Sequence, residues 1–118
     1  MTLNRGDVGL ARFPHAAGGR GKKRPVVVVQ ADLYNRKARH VILAEVAGNL
    51  AVAPDPANLR IDISTPEGKA TGLVQDSIVT CLFLVTMTEI RFGQPIGKLS
   101  PALLQQLDGC LKAALGLP

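Results

Sequence analysis

Residues 24–30 read Arg24-Pro25-Val26-Val27-Val28-Val29-Gln30, and this stretch decides the fold. Four β-branched residues in a row are stiff at χ1 and suit a pleated strand. An unbroken apolar run, in place of an alternating one, suits a strand buried on both faces. Such a strand needs neighbours, and the chain supplies them on either side. Residues 7–13 alternate, with Val8, Leu10 and Arg12 on one side and Asp7, Gly9, Ala11 and Phe13 on the other. Residues 40–46 give a third strand after a polar, turn-like stretch at 32–39. Residues 14–24 are rich in Gly and base and read as a loop; residues 48–58 hold two Pro and read as another.

Further along, Leu59, Ile61 and Ile63 alternate with Arg60, Asp62 and Ser64. Thr65-Pro66-Glu67-Gly68 reads as a hairpin turn, with residues 71–75 as the returning strand. Residues 78–84 form another buried strand and 89–92 a short one. The period then changes. Ser100 is an N-cap, Pro101 fits the first helical position and Gly116 supplies the stop. Between them Leu103, Leu107, Leu111 and Leu115 recur every four residues, widened by Leu104 and Ala114. The expectation is a mainly β fold with a C-terminal α-helix, a small barrel partly covered by that helix.

The 118 residues, 47% apolar and 19% charged, fit one folded domain spanning 1–118. The longest strongly apolar run, residues 78–87, is too short to span a bilayer. The N-terminus lacks the apolar centre of a secretory signal, so the cytoplasm is the expected compartment and no membrane is an expected partner. Cys81 and Cys110 have no metal-ligand spacing and read as reduced core thiols.

The net charge of +5 is unevenly placed: residues 1–40 carry nine basic groups against Asp7 and Asp32. A one-sided positive field suits a polyanion, because each phosphate contact releases condensed counterions. One Tyr, three Phe and no Trp disfavour a base-stacking platform. The Gly-rich stretch His15 to Arg24 lets backbone N–H groups approach an anion, and it ends on Arg24, held beside Pro25 at a strand mouth. A fixed guanidinium beside basic neighbours is a phosphate clamp.

Metal-free RNA hydrolysis needs a base for the 2′-hydroxyl, an acid for the leaving 5′-oxygen, and a cation for the charge that builds on phosphorus. Arg24 fits the last role. His15, Glu45, Asp76 and His40 are the candidate bases. Each has an inert alternative: His15 as a solvated side chain, His40 as a strand-entry residue, Glu45 as an outward-facing strand residue and Asp76-Ser77 as a turn.

Several pieces together resemble the MazF/PemK toxins. They are Arg5-Gly6-Asp7-Val8, the Gly-rich stretch closing on Arg24-Pro25 and its valines, Val41-Ile42-Leu43-Ala44, Thr71-Gly72-Leu73-Val74-Gln75-Asp76-Ser77-Ile78-Val79, and Ile96-Gly97-Lys98-Leu99-Ser100. The resemblance implies a small SH3-like β-barrel, a homodimer, and the toxin component of a type II toxin–antitoxin pair. It further implies an endoribonuclease that needs no cofactor or metal, cuts single-stranded RNA to 2′,3′-cyclic phosphate and 5′-hydroxyl ends, and is held by a cognate acidic antitoxin. Carried over by position, Arg24 matches the catalytic arginine, and Asp76 and Ser77 match the Asp-Ser pair of the groove floor. His15 is a further candidate proton carrier; Arg20, Lys22, Lys23 and Gln75 are candidate RNA contacts. The family's Thr or Ser after the third strand falls at Ala47, its acid before the arginine at Gly19, and its aromatic after Asp7-Val8 at Gly9. These departures set a second expectation beside the first: a protein on the same scaffold that binds an antitoxin or nucleic acid without cutting.

Overall fold

The computed structural model describes residues 2–14, 20–48, 54–88 and 92–118, with all their side chains except those of 13, 14 and 20–22. The elements are β1 (Asp7–Pro14), β2 (Arg20–Val28), α1 (Asp32–Asn35), β3 (His40–Ala47), β4 (Asn58–Ile61), α2 (Pro66–Ala70), β5 (Ser77–Thr88), β6 (Gly97–Lys98) and α3 (Pro101–Leu115). The strands form one antiparallel sheet in the order β4-β5-β3-β2-β1-β6.

The valine run is buried on both faces, as its composition requires. Val27 and Val29 join Val8, Ala44, Val46, Leu59, Ile61 and Val79 on the face that receives Leu103, Leu107 and Cys110 of α3. Val26 and Val28 join Leu3, Ala11, Val41, Leu43 and Phe92 on the other. The β2–β3 ladder begins at Val26, so Pro25 sits just past its last rung, where a residue without an N–H is tolerated.

The sheet is curled into a half-barrel. The residues that follow α2, beyond edge strand β4, meet edge strand β6: a Cβ at Gly97 would clash with the Thr71 carbonyl. Gly72, at φ +77, turns tightly against the Ile96 backbone. The bend in β5 comes from a register break. Ala44 pairs with Leu84 but Glu45 pairs with Thr80, so residues 81–83 have no partner on β3. The freed Cys81 N–H donates to the Ala57 carbonyl at 3.0 Å.

Helix α3 begins and ends where the sequence places it. Ser100 Oγ accepts the Leu103 N–H at 3.1 Å and donates to Glu67 Oε2 at 2.6 Å, and Gly116 closes the helix at φ 68. Arg5 fastens the helix to the sheet: its Nη2 lies 2.6 Å from Asp108 Oδ1, and its Nε donates to the Val29 carbonyl at 3.0 Å.

Several local expectations are corrected. The stretch 14–24 is not wholly a loop, because β2 starts at Arg20 and pairs Lys23 with Arg12 and Arg24 with Ala11; cross-strand pairing overrides local composition. Residues 65–68 open helix α2 where a hairpin turn is expected, because Thr65 Oγ1 accepts the Gly68 N–H at 2.9 Å and Pro66 occupies the first turn. No strand returns over 71–75, since Thr71 Oγ1 holds both the Gly68 carbonyl and the Leu73 N–H and Gly72 is left-handed. In α3, Leu115 is exposed and Cys110 fills the buried stripe. Of the short strand expected at 89–92, residues 89–91 lie outside the described ones, and Phe92 is a fully buried turn residue. The stretch after Gln30 contains α1, and β6 is an element that composition did not reveal.

Candidate functional site

Where the curl draws the sheet edges together, a groove of about 740 Å³ opens. Leu10, Leu73 and Ile96 give it apolar walls, and the end of β3, residues 45–47, runs along it. Arg24 and Glu45 are the only charged groups among the described residues that line it.

Arg24 reaches the groove because of where the β2–β3 ladder stops: Val26 pairs with Glu45 at its last rung, and Arg24 lies two residues on along β2, with the same parity. Its Nη1 lies 3.5 Å from Glu45 Oε1, with the arginine side chain 59% exposed and the glutamate 19%. A close charge-assisted N–H···O bond spans about 2.7–2.9 Å. This pair is looser, and an exposed ion pair contributes at most about 1 kcal/mol. The guanidinium therefore keeps most of its donors for something else. Next to it, Lys23 faces Arg12 directly across β1–β2, both exposed and with no acidic partner among the described residues. Like charges opposed in this way cost stability, and an anion drawn between them recovers it.

The remaining site residues separate clearly. Ser77 and Gln75 line the groove. Ser77 is 3% exposed and its hydroxyl donates to the Gln75 carbonyl at 2.8 Å, so it shapes the floor. The Gln75 amide lies against Gly48, where a Cβ would clash with it. Asp76 does not share the groove: its Oδ1 accepts the Ile63 N–H at 2.9 Å and serves the turn after β4. His40 pairs with Thr88 at the opposite end of β3 from Ala47. The backbone puts Arg20 and Lys22 in β2, and their side chains lie outside the described ones, as do His15 and Gly19 altogether. Both cysteines are buried and unpaired; burial pushes the Cys81 thiol up to about 11 and raises Cys110 as well, which disfavours the reactive thiolate. No helix among the described residues is long and apolar enough to cross a membrane.

Residues 4–115 match the family of PemK-like, MazF-like toxins of type II toxin–antitoxin systems. The chain belongs to that family. It is 29% identical to endoribonuclease MazF6 of Mycobacterium tuberculosis over 119 aligned positions, covering 99% of this chain and 100% of the relative. Endoribonuclease MazF2 of Mycobacterium bovis is similar to the same degree. In structure it is similar to a mycobacterial endoribonuclease in complex with its cognate antitoxin, at TM-score 0.80 and 19% identity, covering 98% of this chain and 97% of that one. The Mycobacterium tuberculosis toxin MazF-mt6 follows at TM-score 0.76 and 20% identity, covering 95% and 98%.

The departures from the family pattern now have places. Ala47 lines the groove without a hydroxyl. The space of the aromatic expected at Gly9 is filled from elsewhere, because a Cβ there would run into the ring of fully buried Phe92. The residue that sequence reasoning left outside the site is Glu45. A base and an outward-facing side chain are both open to it in the sequence, and the β2–β3 register brings it to Arg24.

Proposed function

We propose that the protein is the toxin of a type II toxin–antitoxin pair and acts as a metal-independent endoribonuclease on single-stranded RNA. One observation carries this: an exposed Arg24 at the mouth of a groove, paired only loosely with Glu45, the one other charged group among the described residues that line it. Its family membership and its likeness to proteins named endoribonucleases support the same activity. The Arg24 fork binds the scissile phosphate and meets the charge that grows on it as the 2′-oxygen attacks. Lys23, with Arg20 and Lys22 on the same strand, draws the chain in; Gln75 and Ser77 form the floor. His15 is a candidate proton carrier.

The attack leaves a 2′,3′-cyclic phosphate on one fragment and a 5′-hydroxyl on the other. A solved relative in complex with its cognate antitoxin supports an antitoxin as the second partner, and the basic N-terminal third suits an acidic segment of it. The functional unit is a homodimer of one-domain chains in the cytoplasm. Incubating a long natural RNA with the protein in EDTA tests the activity: discrete fragments with cyclic-phosphate ends are expected, and intact RNA would contradict it. Ala47 favours one rival, a protein that binds RNA or antitoxin without cutting, and retained binding with no cleavage would select that rival.

A further inference from the structure

Deprotonating the 2′-hydroxyl needs an acceptor, and Ala47 cannot help to supply one. We infer that Glu45 is that acceptor, a catalytic carboxylate standing beside Arg24 on the neighbouring strand. This rests on the ribonuclease assignment above and adds to it the identity of the base.

A comparison of the carboxylates carries the inference. Asp7 accepts the Asn4 N–H, Asp32 the Arg5 N–H, Asp55 the Ala57 N–H, Asp62 the Ser64 N–H and Asp76 the Ile63 N–H. Glu67 accepts the Ser100 hydroxyl, and Asp108 holds Arg5. Each of these seven has a close partner in the fold. Glu45 is the least engaged of the described carboxylates: among the described residues its one polar partner is Arg24 at 3.5 Å, against 2.6 Å for Asp108 and Arg5. It is also largely buried between Ala44 and Val46, at the register break of β3 and β5, and no structural duty explains a carboxylate there.

The geometry suits the chemistry. The 2′-oxygen and the phosphate it attacks are adjacent atoms of one nucleotide. A guanidinium on the phosphate and a carboxylate 3.5 Å from that guanidinium reach both. Glu45 takes the 2′-hydroxyl proton as the 2′-oxygen bonds to phosphorus. The bond from phosphorus to the 5′-oxygen breaks, and a solvent water protonates the departing oxygen. The hydroxide left behind recovers the proton from Glu45, so the enzyme returns to its starting state. Among the described residues the other groups facing Glu45 are Arg24 from β2, Thr80 from β5, and Gln75 and Ser77 along the groove, none of them a second carboxylate or a histidine.

The test begins by mapping the cut site on a long natural RNA. An oligonucleotide of that sequence with 2′-deoxyribose at the cut then measures binding. Glu45→Gln is expected to lower kcat about 100-fold or more, to bind the deoxy oligonucleotide as wild type does, and to lose the acid-side fall in rate expected of wild type. Glu45→Ala is expected to regain part of its rate in formate. Glu45→Gln cutting within threefold of wild type would overturn the inference. So would a loss of binding equal to that of Arg24→Ala with an unchanged pH profile, which marks a residue that only positions the arginine. A wild-type protein that leaves RNA intact would overturn the ribonuclease assignment itself, a result distinct from either.

Discussion

Two arginines at opposite ends of the sheet are used in opposite ways. Arg5 spends its side chain on the fold: its guanidinium binds Asp108 of α3 and the Val29 carbonyl, while its N–H meets Asp32. Arg24 spends almost nothing on the fold, being exposed and touching Glu45 loosely. The same contrast divides the carboxylates, with Asp108 engaged at 2.6 Å and Glu45 held in reserve. Charge counted from the sequence treats these groups alike. Only the partners distinguish a cation that holds the protein together from one kept free for a ligand.

Substitutions can break this contrast at either end. Arg24→Ala is expected to lower the cleavage rate by about 10²–10³-fold, the usual cost of removing one donor to a developing oxyanion. Its denaturant midpoint should match wild type, because the exposed pair contributes little. Arg5→Ala should do the reverse, costing about 1–2 kcal/mol of stability in a urea titration through its hydrogen bond and half-exposed ion pair. Cleavage per folded molecule should stay the same. If Arg5→Ala abolished cleavage in fully folded protein, the division between the two arginines would be wrong.

Lys23→Gln should act more gently. Removing one phosphate contact should flatten the slope of log affinity against log salt by about 0.7 for a single strand. Relief of the repulsion from Arg12 should raise stability by a few tenths of a kcal/mol. The smallest effect belongs to Asp32. The Arg5 N–H, helped by Asn35, holds its carboxyl below the ordinary 3.8 despite some desolvation. A depressed pKa stabilises the fold above 3.8, and that contribution is lost as pH falls through the lowered value. Urea midpoints of wild type and Asp32→Asn should therefore differ near neutrality and converge below pH ~4.

Much of this fold was legible because the strongest signals were local. The valine run and the capped leucine helix each announce a period and a boundary, and both stand where expected. The errors have different causes. A glycine-rich basic stretch resembles a loop, yet β1 recruits its second half into a ladder through partners about 12 residues away. Thr65-Pro66-Glu67 carries helix-start chemistry as well as turn chemistry, and the hydroxyl of Thr65 decides between them. Within the site, Arg24 was legible because Pro25 and the strand fix its place. Asp76 was misjudged as part of the floor because a hydrogen bond to a residue 13 positions earlier leaves no trace in composition. Glu45 was half seen: its chemistry was plain, while its position depended on the β2–β3 register.

The most direct test is a crystal structure of the protein with its cut-site oligonucleotide carrying 2′-deoxyribose at the scissile nucleotide. The account predicts the scissile phosphate in the groove between Leu10 and Gln75, with its oxygens about 2.7–2.9 Å from the Arg24 guanidinium. A scissile phosphate seated elsewhere on the surface, with Arg24 still resting on Glu45, would contradict it.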